Sequence, residues 1–227
     1  MSNSRQVVVV TGAAGALGRA VVEAFDKAGA DCVLWDHHKD AGGSGTHMTL
    51  VVDLLDAKAV DTAAKQVLAA KRRVDVLCNI AGGFASGLEV HESRALFDRM
   101  MDLNVRTMLN TVEALVPSMI AAGGGKIINV GASRASAGSA GNGPYIASKS
   151  AVIRLTESMG AELRAKNINV NCVLPSIIDT PANRADMPKA DPARWVAPAA
   201  LADVILFLAS PAARAINGAS IPVTGLS

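Results

Sequence analysis

A tyrosine and a lysine stand four residues apart in the segment GPYIASKSAV, as Tyr145 and Lys149. The apolar period around them predicts a helix over residues 145 to 164, and this spacing places the two side chains on one face, one turn apart. A free phenol has a pKa near 10 and is a poor base at neutral pH, but a nearby ammonium favours the phenolate, each pKa unit being worth about 1.36 kcal/mol. We therefore expect Tyr145 to act as a general acid and base and Lys149 to adjust its pKa.

The stretch that must position such a pair is VVVVTGAAGALG, residues 7 to 18. Its four consecutive valines are typical of a strand buried on both faces in a parallel sheet. Gly12, Gly15 and Gly18 then form a turn with almost no side chain on it, and a helix follows at once. Free backbone N–H groups and the positive end of the helix dipole meet there, which suits a pyrophosphate. A small-residue turn that only packs a helix onto a sheet is the alternative.

An acidic residue stands where the sugar of a bound nucleotide would lie. The second predicted strand, DCVLWD, ends at Asp36, 24 residues after Gly12. A carboxylate there can accept both hydroxyls of an adenosine ribose, whereas a 2′-phosphate would meet like charge. No arginine or lysine stands in the glycine turn or directly after Asp36. The sequence thus favours NAD(H) over NADP(H), with an ordinary surface aspartate as the alternative.

Charge and composition exclude several classes of function. The 227 residues carry 22 Lys and Arg against 20 Asp and Glu, and the one tight basic cluster, residues 71–73, falls where a helix should end. Dipole compensation explains that cluster, so we expect no nucleic-acid partner. No apolar run reaches the 18 or so residues of a membrane span, and the first residues, MSNSRQ, do not resemble a signal peptide. We expect a protein with no membrane partner.

The cysteines and histidines indicate neither disulfides nor a metal. The three cysteines, Cys32, Cys78 and Cys172, each fall in a predicted buried strand, and reduced core thiols are typical of an intracellular protein. The four histidines are scattered, and neither residue type shows metal-ligand spacing. We therefore predict a cytoplasmic protein without a metal site.

Seven predicted strands alternate with helical segments along the whole chain, and no linker divides it. The main helices are predicted over residues 56–73, 93–122, 145–164 and 198–209, the second with a bend at Pro117. Residues 39–47 are rich in Gly and Ser and predict a flexible loop. The expected fold is α/β: one doubly wound Rossmann domain over residues 1–227, with a seven-stranded parallel sheet and helices on both faces.

Together these motifs resemble the classical short-chain dehydrogenase/reductase family. The nucleotide loop of that family, T-G-x-x-x-(Ala/Gly)-x-G, is matched at residues 11–18, and its Y-x-x-x-K element is matched at Tyr145 and Lys149. CNIAGG resembles the N-N-A-G element, with Ile80 in place of the second asparagine. The loop P-G-x-x-x-T is matched at residues 175–180, with Ser176 in place of its glycine.

The resemblance implies roles for individual residues. Lys149 would also bind the nicotinamide ribose, Asn104 would hold a water that relays protons, and Asn79 would be mainly structural. A loop at about residues 176–197 would decide the substrate. The residues implied to contact the cofactor are Gly12, Gly15, Ala16, Leu17, Gly18, Asp36, Asp53, Leu54, Asn79, Ala81, Gly82, Tyr145, Lys149, Pro175, Ile178 and Thr180.

The chain departs from the family where a serine usually polarises the substrate carbonyl. Thirteen residues before Tyr145 stands Ala132, and Ser133 follows one place later. Either a bulge brings Ser133 into position or the site works without that donor. The segments CNIAGGFASG and DTPANRADMPKAD, and the pair Gly131–Ala132, are similar to quinonoid dihydropteridine reductases, which manage without the serine. Phe84, above the strand ends, is a candidate wall of the substrate pocket, or else a surface aromatic.

The function implied is an oxidoreductase that moves a hydride between C4 of NAD(H) and a small carbonyl or alcohol. Tyr145, Lys149, Asn104 and Ser133 would be its catalytic residues. A pterin reductase and a nucleotide-sensing module without catalysis are the alternatives. By the same resemblance we expect a homo-oligomer, a tetramer or a dimer.

Overall fold

The computed structural model describes residues 5–38, 47–87 and 89–226 of the chain. Seven strands form one sheet in the order β3-β2-β1-β4-β5-β6-β7, and every neighbouring pair is parallel. The strands are β1 (Val7–Thr11), β2 (Asp31–Asp36), β3 (Met48–Val51), β4 (Val76–Asn79), β5 (Gly125–Val130), β6 (Ile168–Pro175) and β7 (Ser220–Val223). The predicted seven-stranded, doubly wound sheet is confirmed. Residues 39–46 of the predicted flexible loop lie outside the described residues.

Helices cover both faces of the sheet, as the sequence predicts. They are α1 (Ala16–Lys27), α2 (Ala57–Lys71), α3 (Arg94–Met101), α4 (Thr107–Ala121), α5 (Gly143–Leu163), α6 (Pro181–Asp186) and α7 (Pro198–Ala209). Apolar side chains of α2, α4 and α5 form one core layer, and those of α1 and α7 form the other. Among the described residues, no helix is both long enough and apolar enough to cross a membrane.

The valine run of β1 explains why the sheet is buried on both sides. Val7 and Val9 face the layer of α2, α4 and α5, whereas Val8 and Val10 face α1 and α7. Successive side chains of a strand point to opposite faces, so a central strand with two covered faces needs an unbroken apolar run. All five residues of β1 are buried.

A chain of polar side chains crosses the core beside the site end of the sheet. Thr111 of α4 donates to Asn79 Oδ1 (2.7 Å), and Asn79 donates to Asn129 Oδ1 (2.9 Å). Asn129 donates in turn to Thr156 Oγ1 of α5 (2.9 Å). All four residues are buried, so these bonds satisfy groups that water does not reach. Asn79 of β4 is thus hydrogen-bonded directly to β5 and α4, and the chain reaches α5 through Asn129.

The long helix predicted over residues 93–122 is divided at Asn104. Residues Asp102–Arg106 form a π-helical turn between α3 and α4, whereas Pro117 lies inside α4, which continues to Ala121. π turns insert one extra residue into a helix and occur frequently at functional sites. The departure from α geometry therefore lies at Asn104.

Candidate active site

A cleft of about 750 Å³ opens at the carboxyl ends of β1, β2 and β4. Because β1 and β4 lead to helices on opposite faces, the chain leaves a crevice at this switch point, where open α/β sheets bind ligands. Most residues implied to contact a cofactor line it: Gly12, Gly15, Ala16, Leu17, Gly18, Asp36, Asp53, Leu54, Ala81, Gly82 and Thr180.

The glycine turn has no room for side chains. Gly12 has φ of +64°, and a Cβ there would lie 2.9 Å from the backbone of Ala81. A Cβ on Gly18 would overlap the Gly12 carbonyl. Thr11 also holds the glycine turn against the turn after β4, since its hydroxyl accepts hydrogen bonds from the N–H groups of Ile80 (3.1 Å) and Ala81 (3.2 Å). Glycine is therefore required at both positions by the packing of this turn, which lines the cleft at the start of α1, where a helix N-terminus favours an anion.

Asp36 is held in place by backbone N–H groups. Its two carboxylate oxygens accept from Ala14 N (2.9 Å) and His38 N (3.0 Å), and the side chain is only 4% exposed. A carboxylate offers about four acceptor sites, so it keeps capacity for further donors such as ribose hydroxyls. Next to it on the cleft wall, Asp53 accepts from Leu55 N (2.9 Å), and buried Leu54 accepts from Asn110 through its carbonyl (2.8 Å).

The Asn104 side chain connects three elements. Its Oδ1 accepts from Gly83 N (2.9 Å), and its Nδ2 donates to Gly83 O (3.1 Å) and to Ser148 Oγ (3.0 Å). Ser148 donates to the carbonyl of Tyr145 (2.8 Å) and is fully buried. The amide thus fixes the loop after β4 against the first turn of α5. Ser148 was missed from the sequence, where the only signal was its place directly before Lys149.

Lys149 is a buried ammonium at the end of β5. It is 6% exposed, and its Nζ donates to the carbonyl of Val130 (2.8 Å). Burial lowers the pKa of Lys149 to about 8, and the nearby Cys172 thiol opposes that effect only in part. Water solvates a charge better than the protein interior does, so the fold pays in stability for keeping this group charged.

The pKa of the Tyr145 phenol is shifted in the direction opposite to that expected from the sequence. Burial raises the pKa of Tyr145, and the cation that opposes the rise is Arg134 rather than Lys149. The phenol ring also meets Phe84 edge to face, with ring centroids 4.8 Å apart. A protonated phenol at neutral pH suits a proton donor. Phe84 is 58% exposed, so it is at once a surface aromatic and a wall beside Tyr145.

No bulge precedes Ser133. Strand β5 pairs with β6 one to one from Gly125 to Val130, and Gly131 N continues the ladder to Val173 O (2.9 Å). Ala132 is buried, and Ser133 begins a 3-10 turn over Ser133–Ser136. The idea that a bulge moves Ser133 into the usual position is therefore wrong for the described strand, because the register is even.

The segment after β6 reaches the cleft through one residue. Pro175 ends β6, Ile178 forms a bridge with Val196, and Thr180 caps α6 by accepting from Asn183 N (3.2 Å). Of these three implied contacts, only Thr180 lines the cleft. Trp195 and Val196 are buried and anchor the far end of the segment.

A model of the short chain dehydrogenase family matches residues 6–191. The chain belongs to this family. The 3-oxoacyl-(acyl-carrier-protein) reductase FabG of Thermotoga maritima is 30% identical over 237 residues, covering 97% of this chain and 96% of that protein. As a short-chain dehydrogenase, the protein is an oxidoreductase acting on CH–OH or C=O groups.

Two solved structures of similar proteins contain nicotinamide nucleotides. A 3-ketoacyl-(acyl-carrier-protein) reductase from Brucella melitensis, complexed with NADH, superposes with a TM-score of 0.87 at 27% identity, covering 97% of each chain. A structure described as an NAD(P)-dependent gluconate 5-dehydrogenase from Beutenbergia cavernae, with bound NADP, has a TM-score of 0.88 at 29% identity, covering 99% of this chain and 97% of that one. The two similar proteins thus bind different nicotinamide nucleotides, so they do not show which nucleotide this chain prefers.

Gly82→Ala should damage turnover more than folding. The new Cβ would lie 2.7 Å from Asn104 Oδ1 and 3.3 Å from Lys149 Nζ, so both side chains would have to move. We expect kcat to fall about 10- to 100-fold, since misplacing reacting groups by an ångström can cost this much. Gly138→Ala is the control, because its Cβ would meet nothing within 4 Å. Equal kcat in the two variants would contradict the proposed close contact.

The buried Lys149 should appear in the pH dependence of stability. Its pKa of about 8 lies below the ordinary 10.5, so the unfolded chain binds more protons between these values and the free energy of unfolding rises with pH there. From pH 7 to pH 9, wild type should gain about 1 kcal/mol relative to Lys149→Met in urea unfolding. Lys65→Met, at a residue whose side chain is 74% exposed, is the control. A constant difference between wild type and Lys149→Met would show that the ammonium is not buried.

Proposed function

We propose that the protein transfers a hydride between NAD(H) and a small carbonyl or alcohol, with Tyr145 as general acid and base. The observation that carries this proposal is that Asn104 and Lys149 lie beside Gly82, a residue of the cleft lining. Asn104 reaches the first turn of α5 through Ser148, and a Cβ on Gly82 would touch both Asn104 and Lys149. The π-helical turn that carries Asn104 and the helix α5 that carries Tyr145 and Lys149 are thus linked beside the cleft.

The residues of the cleft fit a dinucleotide. The backbone of the glycine turn, which lines the cleft at the start of α1, would bind the pyrophosphate. Asp36 would accept the adenosine ribose hydroxyls, and Asp53 and Leu54 would border the adenine. Lys149 and Thr180 would hold the nicotinamide half. Bound NADH supplies the hydride for reduction of the substrate.

Tyr145 would give its proton to the substrate oxygen during reduction and take it back during oxidation. Burial raises the pKa of the phenol, so the proton is present at neutral pH. The ammonium of Lys149, close to Gly82, would stabilise the negative charge that develops on the Tyr145 oxygen as the phenol proton leaves. Asn104, bonded to Gly83 and Ser148, would hold the water that relays protons. Ser133, in its 3-10 turn, is the candidate donor to the substrate carbonyl.

We further propose a homo-oligomer in the cytoplasm. Phe97 of α3 and Leu109 and Ile120 of α4 are large apolar side chains that are 37% to 42% exposed. Exposed apolar faces on neighbouring helices support pairing between subunits. Cys32, Cys78 and Cys172 are free and buried, as in proteins of reducing compartments.

Tyr145→Phe should abolish turnover and leave nucleotide binding intact. Removing the general acid is expected to lower kcat by about 100- to 10,000-fold, while NADH binding, measured by fluorescence titration, stays within a few-fold of wild type. Turnover is to be assayed with a panel of ketones, diketones and a freshly generated quinonoid pterin. Ser133→Ala is the companion variant, since it is silent if the site works without that hydroxyl. Retained activity in Tyr145→Phe would remove the phenol from the mechanism.

Asp36→Ser should weaken the preference for NADH. The carboxylate would repel a 2′-phosphate, and its loss removes both that repulsion and a charged acceptor for the ribose. We expect the ratio of kcat/KM for NADH to that for NADPH to fall about 10-fold or more. Asp26→Asn, at an exposed residue of α1, is the matched control. A wild type that prefers NADPH would overturn the role given to Asp36.

A further inference from the structure

The helix turn that carries Tyr145 lacks the usual side-chain cap. Tyr145 is the third residue of α5, after Gly143 and Pro144. Asn142 stands at the N-cap position, but its side chain forms no hydrogen bond to the helix and donates instead to the turn before it. The first N–H groups of a helix have no partner within it, and helix ends fray unless other groups hold them. The place of the phenol therefore depends on contacts that reach this turn from other elements.

Ser148 supplies one such contact. Its hydroxyl donates to the carbonyl of Tyr145 (2.8 Å) and accepts from Asn104 Nδ2 (3.0 Å). The bond to Tyr145 lies within α5, but the bond from Asn104 ties the same hydroxyl to the π-helical turn between α3 and α4. Ser148 is fully buried, so water does not replace either bond.

Asn104 also holds the loop that contacts the phenol ring. Its Oδ1 accepts from Gly83 N (2.9 Å), and its Nδ2 donates to Gly83 O (3.1 Å). The next residue, Phe84, meets the Tyr145 ring edge to face, with centroids 4.8 Å apart. One amide thus reaches the backbone of Tyr145 through Ser148, and it fixes the loop whose aromatic residue packs on the ring.

A second hydroxyl on α5 makes the same pair of bonds away from the reactive residues. Thr156 donates to the carbonyl of Val152 (2.8 Å) and accepts from Asn129 Nδ2 (2.9 Å). It lies about two helix turns beyond Ser148, and both residues are fully buried. Loss of either hydroxyl leaves one buried amide short of a partner, but only Ser148 is bonded to Tyr145.

We propose that Ser148 is a positioning residue of the reaction, which fixes Tyr145 relative to Asn104 so that the phenol meets the substrate oxygen. The proposal rests on the function proposed above and adds a residue to the same site. Ser148 does not line the cleft, so its effect passes through Tyr145 rather than through contact with the nucleotide. Because a displacement of about one ångström can cost about 100-fold in rate, kcat should depend on this hydroxyl while nucleotide binding should not.

The first test compares turnover in Ser148→Ala and Thr156→Val, each at the same concentration of folded protein and with a carbonyl compound that the wild type reduces. In Ser148→Ala we expect kcat to fall about 10- to 100-fold, with KM for NADH within a few-fold of wild type. Thr156→Val should unfold at lower urea concentration but keep kcat within a few-fold of wild type. If Ser148→Ala does not fold, Ser148→Cys replaces it with the same expectation, since a thiol is a weak donor and acceptor. An unchanged kcat at position 148, or an equal loss in the Thr156 variant, would overturn the proposal.

The second test needs no substrate, because Tyr145 is the only tyrosine of the chain. Fluorotyrosine incorporated into the whole enzyme reports on this ring alone in fluorine NMR, and its signal depends on the surroundings of the ring, including Phe84. The signal should move or split in Ser148→Ala and keep its wild-type position in Thr156→Val. A signal that stays in place in Ser148→Ala would contradict the positioning role even if kcat falls.

The two proposals fail on different results. If Tyr145→Phe abolishes turnover while Ser148→Ala matches the wild type, the hydride-transfer function stands and only the role of Ser148 fails. If Tyr145→Phe retains activity, or if no carbonyl compound is reduced, both proposals fail.

Discussion

The site depends on the contact between two turns that have no side chains between them, one after β1 and one after β4. These strands are neighbours in the sheet although two other strands lie between them in sequence. Gly12 meets the backbone of Ala81 directly, and the Thr11 hydroxyl binds two N–H groups of the second turn. A Cβ at Gly12 would push the turns apart and open the floor of the cleft. The glycine turn after β1 and the turn after β4, both of which line the cleft, are therefore positioned by one contact.

Burial acts on the two reactive groups in opposite directions. It raises the pKa of the Tyr145 phenol and lowers the pKa of the Lys149 ammonium, because the interior disfavours the charged form of either group. For either group alone, ionisation is less favourable in this environment than in water. Both are held there by the fold, through Ser148 at the carbonyl of Tyr145 and through the Val130 carbonyl at Lys149. Keeping the Lys149 ammonium in the interior lowers the stability of the fold, a cost that proteins commonly carry at functional sites.

The sheet and the place of the glycine turn and of Asp36 could be predicted from the sequence, because those features are local. A run of valines, a turn of small residues and an acidic strand end each occupy a short stretch. In the structure the valines form β1, and the glycine turn and Asp36 line the cleft. The contact of Phe84 with Tyr145 could not be predicted, since Phe84 reaches the phenol through a loop whose path depends on tertiary packing. The register before Ser133 was also open, because sequence alone does not distinguish an even ladder from a bulge.

The polar chain from Thr111 through Asn79 and Asn129 to Thr156 has a consequence for how the sheet assembles. Asn79 and Asn129 are register partners in β4 and β5. Sliding one strand by a single residue would turn one amide toward the wholly apolar layer of α1 and α7, and its hydrogen bonds would be lost. Each dry, unpaired polar group costs about 1 to 3 kcal/mol. The two buried asparagines, one at the end of β4 and one in β5, thus favour the observed pairing of these strands over a register shifted by one residue.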